Sequence, residues 1–215
     1  KAAEALTPDS ALIQYEYARA YLALGDPERA LASAQRANEL DITLLPVYLL
    51  LGETYTANDQ PDEAMRGLAQ SYCRLIEAAC QNEPDWLAPV ADLLPRLHAA
   101  LIALRRDDPG MAGGPMPDLD ARFELFGCLR DRLGERDHYW LEFDPIGDGE
   151  AMTGSLADDL TDIYYELRQG LSLAESLPLG AGRGWLAGFE AHWGRHLSDA
   201  ERHLVNLAAQ GRLIS

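Results

Sequence analysis

ALIQYEYARAYLALGDPERALASAQRANELDITL, residues 11–44, aligns without gaps to LPVYLLLGETYTANDQPDEAMRGLAQSYCRLIEA, residues 45–78. The internal period is therefore 34 residues. A fixed period of roughly 20–50 residues is typical of stacked structural repeats. The aligned positions include Tyr17 with Leu51, Ala18 with Gly52, Tyr21 with Tyr55, Pro27 with Pro61 and Ala30 with Ala64.

Each unit reads as a pair of helices joined by a tight turn. In the first unit Gly25 permits a positive φ in the turn, and Pro27 begins the next helix at a position that needs no N–H. Ala30 and Ala37 provide small side chains where the two helices would approach closely. In the second unit Asp59 stands at the place of the turn glycine, so that turn departs from the pattern.

This combination of length, turn and small residues resembles the tetratricopeptide repeat over residues 1–70. KAAEALTPDS, residues 1–10, fits the end of a preceding unit. We therefore expect one partial and two full units, with further upstream sequence before residue 1. The resemblance implies a concave partner-binding face, formed mainly by the first helix of each unit. On that face we place Leu12, Tyr15, Arg19, Leu22, Leu49, Glu53 and Thr56. The alternative is that the C-terminal domain or upstream repeats cover this face.

The remaining residues, 71–215, are expected to form a second, helical domain. DWLAPVADLLPRLHAALIALRR (85–106) has apolar residues at helical spacing, and LDARFELFGCLRDRLGE (119–135) is expected to end as a helix at Gly134. Ser155 is a predicted N-cap of the next helix, and the last helix is expected to begin near Trp185. The predicted fold is all-α: a short tetratricopeptide-type array packed on a C-terminal helical bundle, with an extended aromatic segment (138–150).

Three stretches of this second domain resemble an uncharacterised bacterial family, domain of unknown function 5063. They are DHYWLEFDP (137–145), SLADDLTDIYYELRQGL (155–171) and HWGRH (192–196). The likeness covers roughly residues 70–213. It implies a domain boundary and no activity.

Two polar stripes could carry chemistry. His192, His196 and His203 share one edge of the last helix, and Asp159, Asp162 and Glu166 share one edge of an earlier helix. If these edges meet, they could hold Zn²⁺, Mn²⁺ or a pair of metals. The alternative, which we expect, is a structural network in which Trp193 is buried and His192 and His196 pair with acids from ADDLTDIYYEL (157–167).

Composition argues against several other classes of protein. The net charge of −17 argues against binding to nucleic acid, and the longest apolar runs are too short to insert into a membrane. Cys73, Cys80 and Cys128 form an odd set with no CxxC pair, so we expect reduced thiols rather than disulfides. These features favour a cytoplasmic protein, although an upstream targeting segment stays open because the sequence starts inside a predicted repeat.

The sequence thus predicts a protein–protein interaction adaptor or scaffold, with no catalysis and no cofactor of its own. Its expected partner is an apolar protein segment or helix. The alternative is a metal-dependent hydrolase in the C-terminal helices, with the repeats recruiting its substrate. A purely structural oligomerisation unit is a third possibility, and the oligomeric state is left open. Trp140, Trp185 and Trp193 are expected in the core.

Overall fold

The computed structural model describes residues 10–41, 44–104, 118–140, 153–176 and 181–214. Within these ranges the fold is all-α, as predicted. The helices are α1 (Ala11–Ala23), α2 (Pro27–Leu40), α3 (Leu45–Ala57), α4 (Pro61–Cys80), α5 (Leu87–Ala103), α6 (Leu119–Leu133), α7 (Leu156–Ser176), α8 (Ala181–Gly188) and α9 (Gly194–Ala209). Two short strands, β1 (His138–Trp140) and β2 (Thr153–Ser155), pair antiparallel.

The first four helices form two hairpins with the predicted period. Helix α3 begins 34 residues after α1, and α4 begins 34 residues after α2. The turn residues Gly25 and Asp59 both have left-handed φ values, of 72° and 56°. Asp59 therefore adopts the conformation that glycine adopts more readily in the first unit. The tetratricopeptide assignment itself stays a prediction, and the partial unit in residues 1–9 lies outside the described residues.

Small residues allow the helices of each hairpin to approach closely. Ala18, Ala30 and Ala37 have no exposed surface. In the second hairpin, a Cβ added at Gly52 would lie 2.8 Å from the side chain of Leu68. A larger side chain at these positions would separate the helices, because packed interiors leave few voids.

Helix α4 joins the hairpins to the C-terminal helices without a linker. Tyr72 is fully buried on α4, and its hydroxyl donates to the carbonyl of Leu160 on α7 at 2.9 Å. Glu77 accepts hydrogen bonds from Tyr164 at 2.8 Å and from Arg168 at 2.9 Å. The junction between the two regions is therefore a continuous helix that packs on both of them.

Local capping explains where α7 begins. The Ser155 hydroxyl accepts from the Asp158 N–H at 3.3 Å, as the sequence predicts for an N-cap. Asp137 also accepts from the Ala157 N–H at 2.8 Å and from the Ser155 hydroxyl at 2.9 Å. This second acceptor comes from the segment just before β1, so it fixes the start of α7 against that segment.

The last helix differs from the prediction in its start and its register. It begins at Ala181 rather than near Trp185, and a π-helical turn, Phe189–Trp193, separates α8 from α9. The wider turn shifts the helix face, so Trp185 is buried while Leu186 is partly exposed. The prediction assumed one helix with a 3.6-residue period throughout, which a π turn does not follow.

The prediction of reduced thiols is wrong for two of the three cysteines. Cys80 at the end of α4 is disulfide-bonded to Cys128 in α6, with Cα atoms 5.9 Å apart. Cys73 is free and buried, and burial raises the pKa of its thiol to about 12. The expectation rested on the odd number of cysteines and the lack of a CxxC pair, whereas helix packing brings together residues 48 positions apart.

The aromatic segment is only partly described. His138–Trp140 is extended, as expected, and residues 141–152 lie outside the described residues. Trp185 and Trp193 are in the core, but Trp140 is 72% exposed, so its expected burial is wrong. Among the helices in the described ranges, none is long and apolar enough to span a bilayer.

Candidate functional site

The part of the predicted partner face that lies on α1 is mostly open. Leu12 is 60% exposed, and Arg19 is also exposed. Tyr15 and Leu22 are partly buried and pack against the small core between the hairpins. These two side chains therefore contribute to stability as well as to the surface.

The part that lies on α3 is partly covered by α5. Leu49 packs against the main core, and Glu53 forms an ion pair with Arg96 of α5. Thr56 is exposed. Sequence reasoning missed this contact because it depends on how α5 docks beside the second hairpin.

A groove remains between α3, α4 and α5. Its volume is about 400 Å³, within the size range of ligand pockets. Most of its lining is small or apolar, and the Glu53–Arg96 ion pair provides its charged part. The lining residues are Gly52, Glu53, Thr56, Ala57, Leu68, Arg96, Ala99, Ala100 and Ala103. Two of the predicted partner-binding residues therefore line this groove.

The histidine and carboxylate stripes do meet. The Nδ1 atom of His196 lies 2.8 Å from Asp159, and its Nε2 atom lies 3.2 Å from Asp162. The Nδ1 atom of His192 lies 3.2 Å from Glu166. The expected pairing of both histidines with acids from residues 157–167 is confirmed, and Trp193 is fully buried, as expected.

Helix geometry brings these side chains together. The carboxylates come from one edge of α7, where residues three and four apart are neighbours. His192 belongs to the π-helical turn and His196 to the first turn of α9, and their ring centroids are 5.3 Å apart. The cluster therefore lies between α7 and the turn that shifts the register of the last helix.

Burial and hydrogen bonding shift the acidities of the central pair. Burial raises the pKa of the Asp159 carboxyl, and hydrogen bonds from His196 and Tyr139 partly oppose this effect. The hydrogen bond to Asp159 raises the pKa of the His196 imidazole, while burial partly opposes that shift. Burial also raises the pKa of Tyr139, whose hydroxyl donates to Asp159. The histidine and Asp159 thus hold a proton between them more tightly than isolated groups would.

The six metal-ligand candidates separate into three groups. Asp162, His192 and His196 offer ligand atoms that all lie within 4.8 Å of one another. Asp159 and Glu166 each pair with the Nδ1 atom of one histidine, Asp159 with His196 and Glu166 with His192. His203 lies apart, because its Nε2 pairs with the Arg136 carbonyl at 2.7 Å and its ring stacks on Tyr139.

A cavity of about 570 Å³ opens beside this cluster, between α6 and α7. Asp162, Glu166 and His192 contribute to its wall, and Arg122 of α6 pairs with Asp162 there. The remaining lining residues are Leu119, Tyr165, Arg168, Gln169, Ser172 and Leu173. Sequence reasoning missed Arg122, because nothing in its local pattern shows which helix α6 packs against.

Comparisons with known proteins place the chain in a family without a known activity. A crystal structure of protein BF1032 from Bacteroides fragilis is similar with a TM-score of 0.55 and 18% identity, covering 71% of this chain and 94% of that one. This likeness concerns the fold alone. No curated protein matches the sequence. The family described as Domain of unknown function (DUF5063) matches residues 57–210, beginning before the expected position near 70. The chain therefore belongs to the DUF5063 family.

Proposed function

We propose that this protein is a protein–protein interaction adaptor that binds a partner segment in the groove between α3 and α5, without catalysis of its own. The observation that carries the proposal is the groove itself, with a volume of about 400 Å³ and a lining rich in small residues. The tetratricopeptide character of the hairpins is part of the proposal, and the 34-residue repeat of the helix starts supports it.

The shape of the groove suits an apolar side chain. Gly52, Ala99, Ala100 and Ala103 leave space between the helices, and Leu68 adds apolar surface. A partner helix or extended segment could insert one large side chain there, as in other helix-in-groove complexes. Burial of that side chain would supply most of the affinity.

The charge of the protein indicates which residues the partner segment should carry. The chain carries a net charge of −17, so a partner segment with basic residues beside its apolar anchor would associate fastest. The Glu53–Arg96 ion pair in the groove lining can orient polar groups of the segment. Leu12 and Arg19 on α1 extend the proposed surface beyond the groove.

The proposal includes no cellular compartment. The expectation of a cytoplasmic location rested partly on reduced cysteines, and the Cys80–Cys128 bond removes that support.

The test is selection of short random peptides on the intact protein, followed by affinity measurements. Ala99→Trp should fill the groove and weaken binding of the selected peptides by about tenfold or more. Ile102→Trp is the matched control, because Ile102 is on the same helix, is 64% exposed and does not line the groove. It should leave the affinity unchanged. Failure to select any peptide, or equal binding by the two variants, would contradict the proposal.

A second pair of variants tests the extension onto α1. Leu12→Ala combined with Arg19→Ala should weaken peptide binding without a change in melting temperature, since both side chains are exposed. Tyr15 is left intact, because it packs on the small core and its loss would confuse stability with binding. Unchanged affinity in this double variant would restrict the proposed site to the groove.

A further inference from the structure

We infer that Asp162, His192 and His196 bind one divalent transition-metal ion, with Zn²⁺ the best match to these ligands. Their ligand atoms already lie within 4.8 Å of one another. His192 and His196 lie four residues apart in the π-helical turn and α9, and helix packing brings Asp162 of α7 to them. This site is separate from the proposed groove.

The orientation of His196 is that of a metal ligand. Its Nδ1 lies 2.8 Å from Asp159, so Nδ1–H donates to the carboxylate, and in the neutral imidazole this leaves the lone pair on Nε2. That Nε2 faces Asp162 at 3.2 Å, and the Arg195 Nε–H donates to it at 3.4 Å, as expected for an acceptor nitrogen. Metal-binding histidines commonly donate their other ring N–H to a carboxylate in this way.

His192 also pairs its Nδ1 atom with a carboxylate of α7. Its Nδ1 lies 3.2 Å from Glu166, so the corresponding tautomer presents Nε2 as the ligand atom. Two neighbouring imidazoles are therefore each backed by a separate carboxylate of α7. A simple hydrogen-bonded pair would need only those two acids, whereas the third acid, Asp162, stands at the opposite nitrogen of His196.

The charges around the three ligands favour a cation. Arg122 pairs with the Oδ1 atom of Asp162, which leaves Oδ2, the atom near His196, available to a metal. Three carboxylates face the imidazoles, and the guanidiniums of Arg122 and Arg195 offset two of those charges. One net negative charge remains around the two imidazoles, which favours a bound cation over an anion.

The cavity supplies the open side of the site. Asp162 and His192 both line the 570 Å³ space, so a bound ion would have protein ligands on one side and room for water or a small ligand on the other. Two histidines, one carboxylate and an open position are a known zinc set, and the same donors also suit Fe²⁺. A π-helical turn at the site agrees with the frequent occurrence of such turns at functional positions.

The experiment uses intact protein purified without a histidine tag or chelator. Elemental analysis identifies any metal already bound, and calorimetric titration of the metal-free protein with Zn²⁺ measures the site. We expect one Zn²⁺ per chain and a rise in melting temperature when Zn²⁺ is added. A parallel anaerobic titration with Fe²⁺ shows which of the two ions binds more tightly.

Three variants keep the test independent of folding. His192→Ala removes a half-exposed ligand and should weaken Zn²⁺ binding by about tenfold or more, with an unchanged circular-dichroism spectrum. Glu166→Gln should weaken it by about tenfold, since the backing carboxylate is lost. His138→Ala removes an exposed imidazole of β1 outside the cluster and should leave the affinity unchanged.

Absence of Zn²⁺ and Fe²⁺ binding, or equal Zn²⁺ affinity in His192→Ala and His138→Ala, would overturn the inference and leave a structural hydrogen-bond network. Ala99→Trp should retain full metal binding, because the groove between α3 and α5 is lined by none of the three ligands.

Discussion

The hairpin region and the C-terminal core are stabilised in different ways. Half of the buried residues in the core between the hairpins are alanines, Ala18, Ala34 and Ala37, whereas the main core contains Trp185 and Trp193. Small residues bring helices close but bury little apolar area, and burial of that area is the dominant favourable term in folding. The first hairpin therefore depends on stacking against α3 of the second one, whereas the C-terminal helices can tolerate a buried polar network.

This difference separates two kinds of surface. On α1 and α3, the side chains of Leu12, Arg19 and Thr56 are exposed, and the groove lies where α5 covers α3 incompletely. Between α7 and α9, tight packing buries charged groups and forces each of them to find a partner. Function in the first region depends on shape, and function in the second depends on the chemistry of a few polar atoms.

Removal of the central tryptophan should have the largest effect. Trp193→Ala deletes a fully buried side chain and the hydrogen bond from its indole N–H to the Trp185 carbonyl. We expect a loss of about 3–5 kcal/mol in the free energy of unfolding, measured by urea denaturation. Trp140→Ala, at a position that is 72% exposed, should change it by less than about 0.5 kcal/mol. Similar losses in both variants would contradict the placement of the main core.

Loss of the disulfide should rank next. Cys80→Ser combined with Cys128→Ser opens a link across 48 positions between α4 and α6. Because the link restricts the unfolded chain, we expect a loss of about 2–4 kcal/mol. The wild-type protein in reducing agent should match the double variant in its melting temperature. A wild-type melt that does not respond to reducing agent would show that the bond is absent in solution.

In the hairpin region, a larger side chain at a buried alanine should lower the stability most. Ala30→Leu inserts a bulky side chain at a position with no exposed surface, where α1 and α2 approach closely. Overpacking should cost about 1–3 kcal/mol. Ala32→Leu is the matched control, because Ala32 is exposed on the same helix. Equal melting temperatures for the two variants would mean that the repeat register is wrong.

The buried pair should make stability depend on pH. The hydrogen bond to Asp159 raises the folded-state pKa of His196, so its contribution is complete below the unfolded pKa of about 6.5 and is lost as pH rises through the folded value. Burial raises the pKa of Asp159, which acts in the same direction. In the metal-free protein, the free energy of unfolding should therefore fall as pH rises from about 6 to about 9, and it should fall less in His196→Gln. His138→Gln should retain the wild-type slope, and a rising wild-type curve would contradict the assignment.

The smallest predicted effect is an increase in the free energy of unfolding. Asp59 has φ of 56°, a conformation that costs an L-residue more than glycine. Asp59→Gly should raise the free energy of unfolding by about 0.5 kcal/mol, since the first unit already has glycine there. Asp62→Gly, at an exposed position in the first turn of α4, should lower it. A lower stability for Asp59→Gly would show that its side chain has a role beyond the turn.

The sequence predicted features that depend on local rules. Pro27 and Pro61 begin helices as expected, and the 34-residue period matches the helix starts. The two polar stripes were also predicted, because each follows from positions along one segment, whereas their meeting was left as a condition that the structure fulfils.

Features that depend on tertiary packing were missed. The Cys80–Cys128 bond, the Arg122–Asp162 pair and the cover of α5 over Glu53 each join separate helices. The π turn was missed for another reason. The apolar pattern was interpreted with a constant 3.6-residue period, and this assumption contains no π turn. Local periodicity therefore predicts which face of a helix is buried, but not which other helix packs against that face.

The most direct test of the account is a hydrogen–deuterium exchange footprint of the tightest selected peptide on the intact protein. We expect slower exchange in α3, the first half of α4 and α5, and in α1 where the proposed surface continues, with no change in α7 or α9. Protection over α7 and the turn that carries His192, with none at α3 and α5, would contradict it. That result would place the binding function in the C-terminal cavity instead.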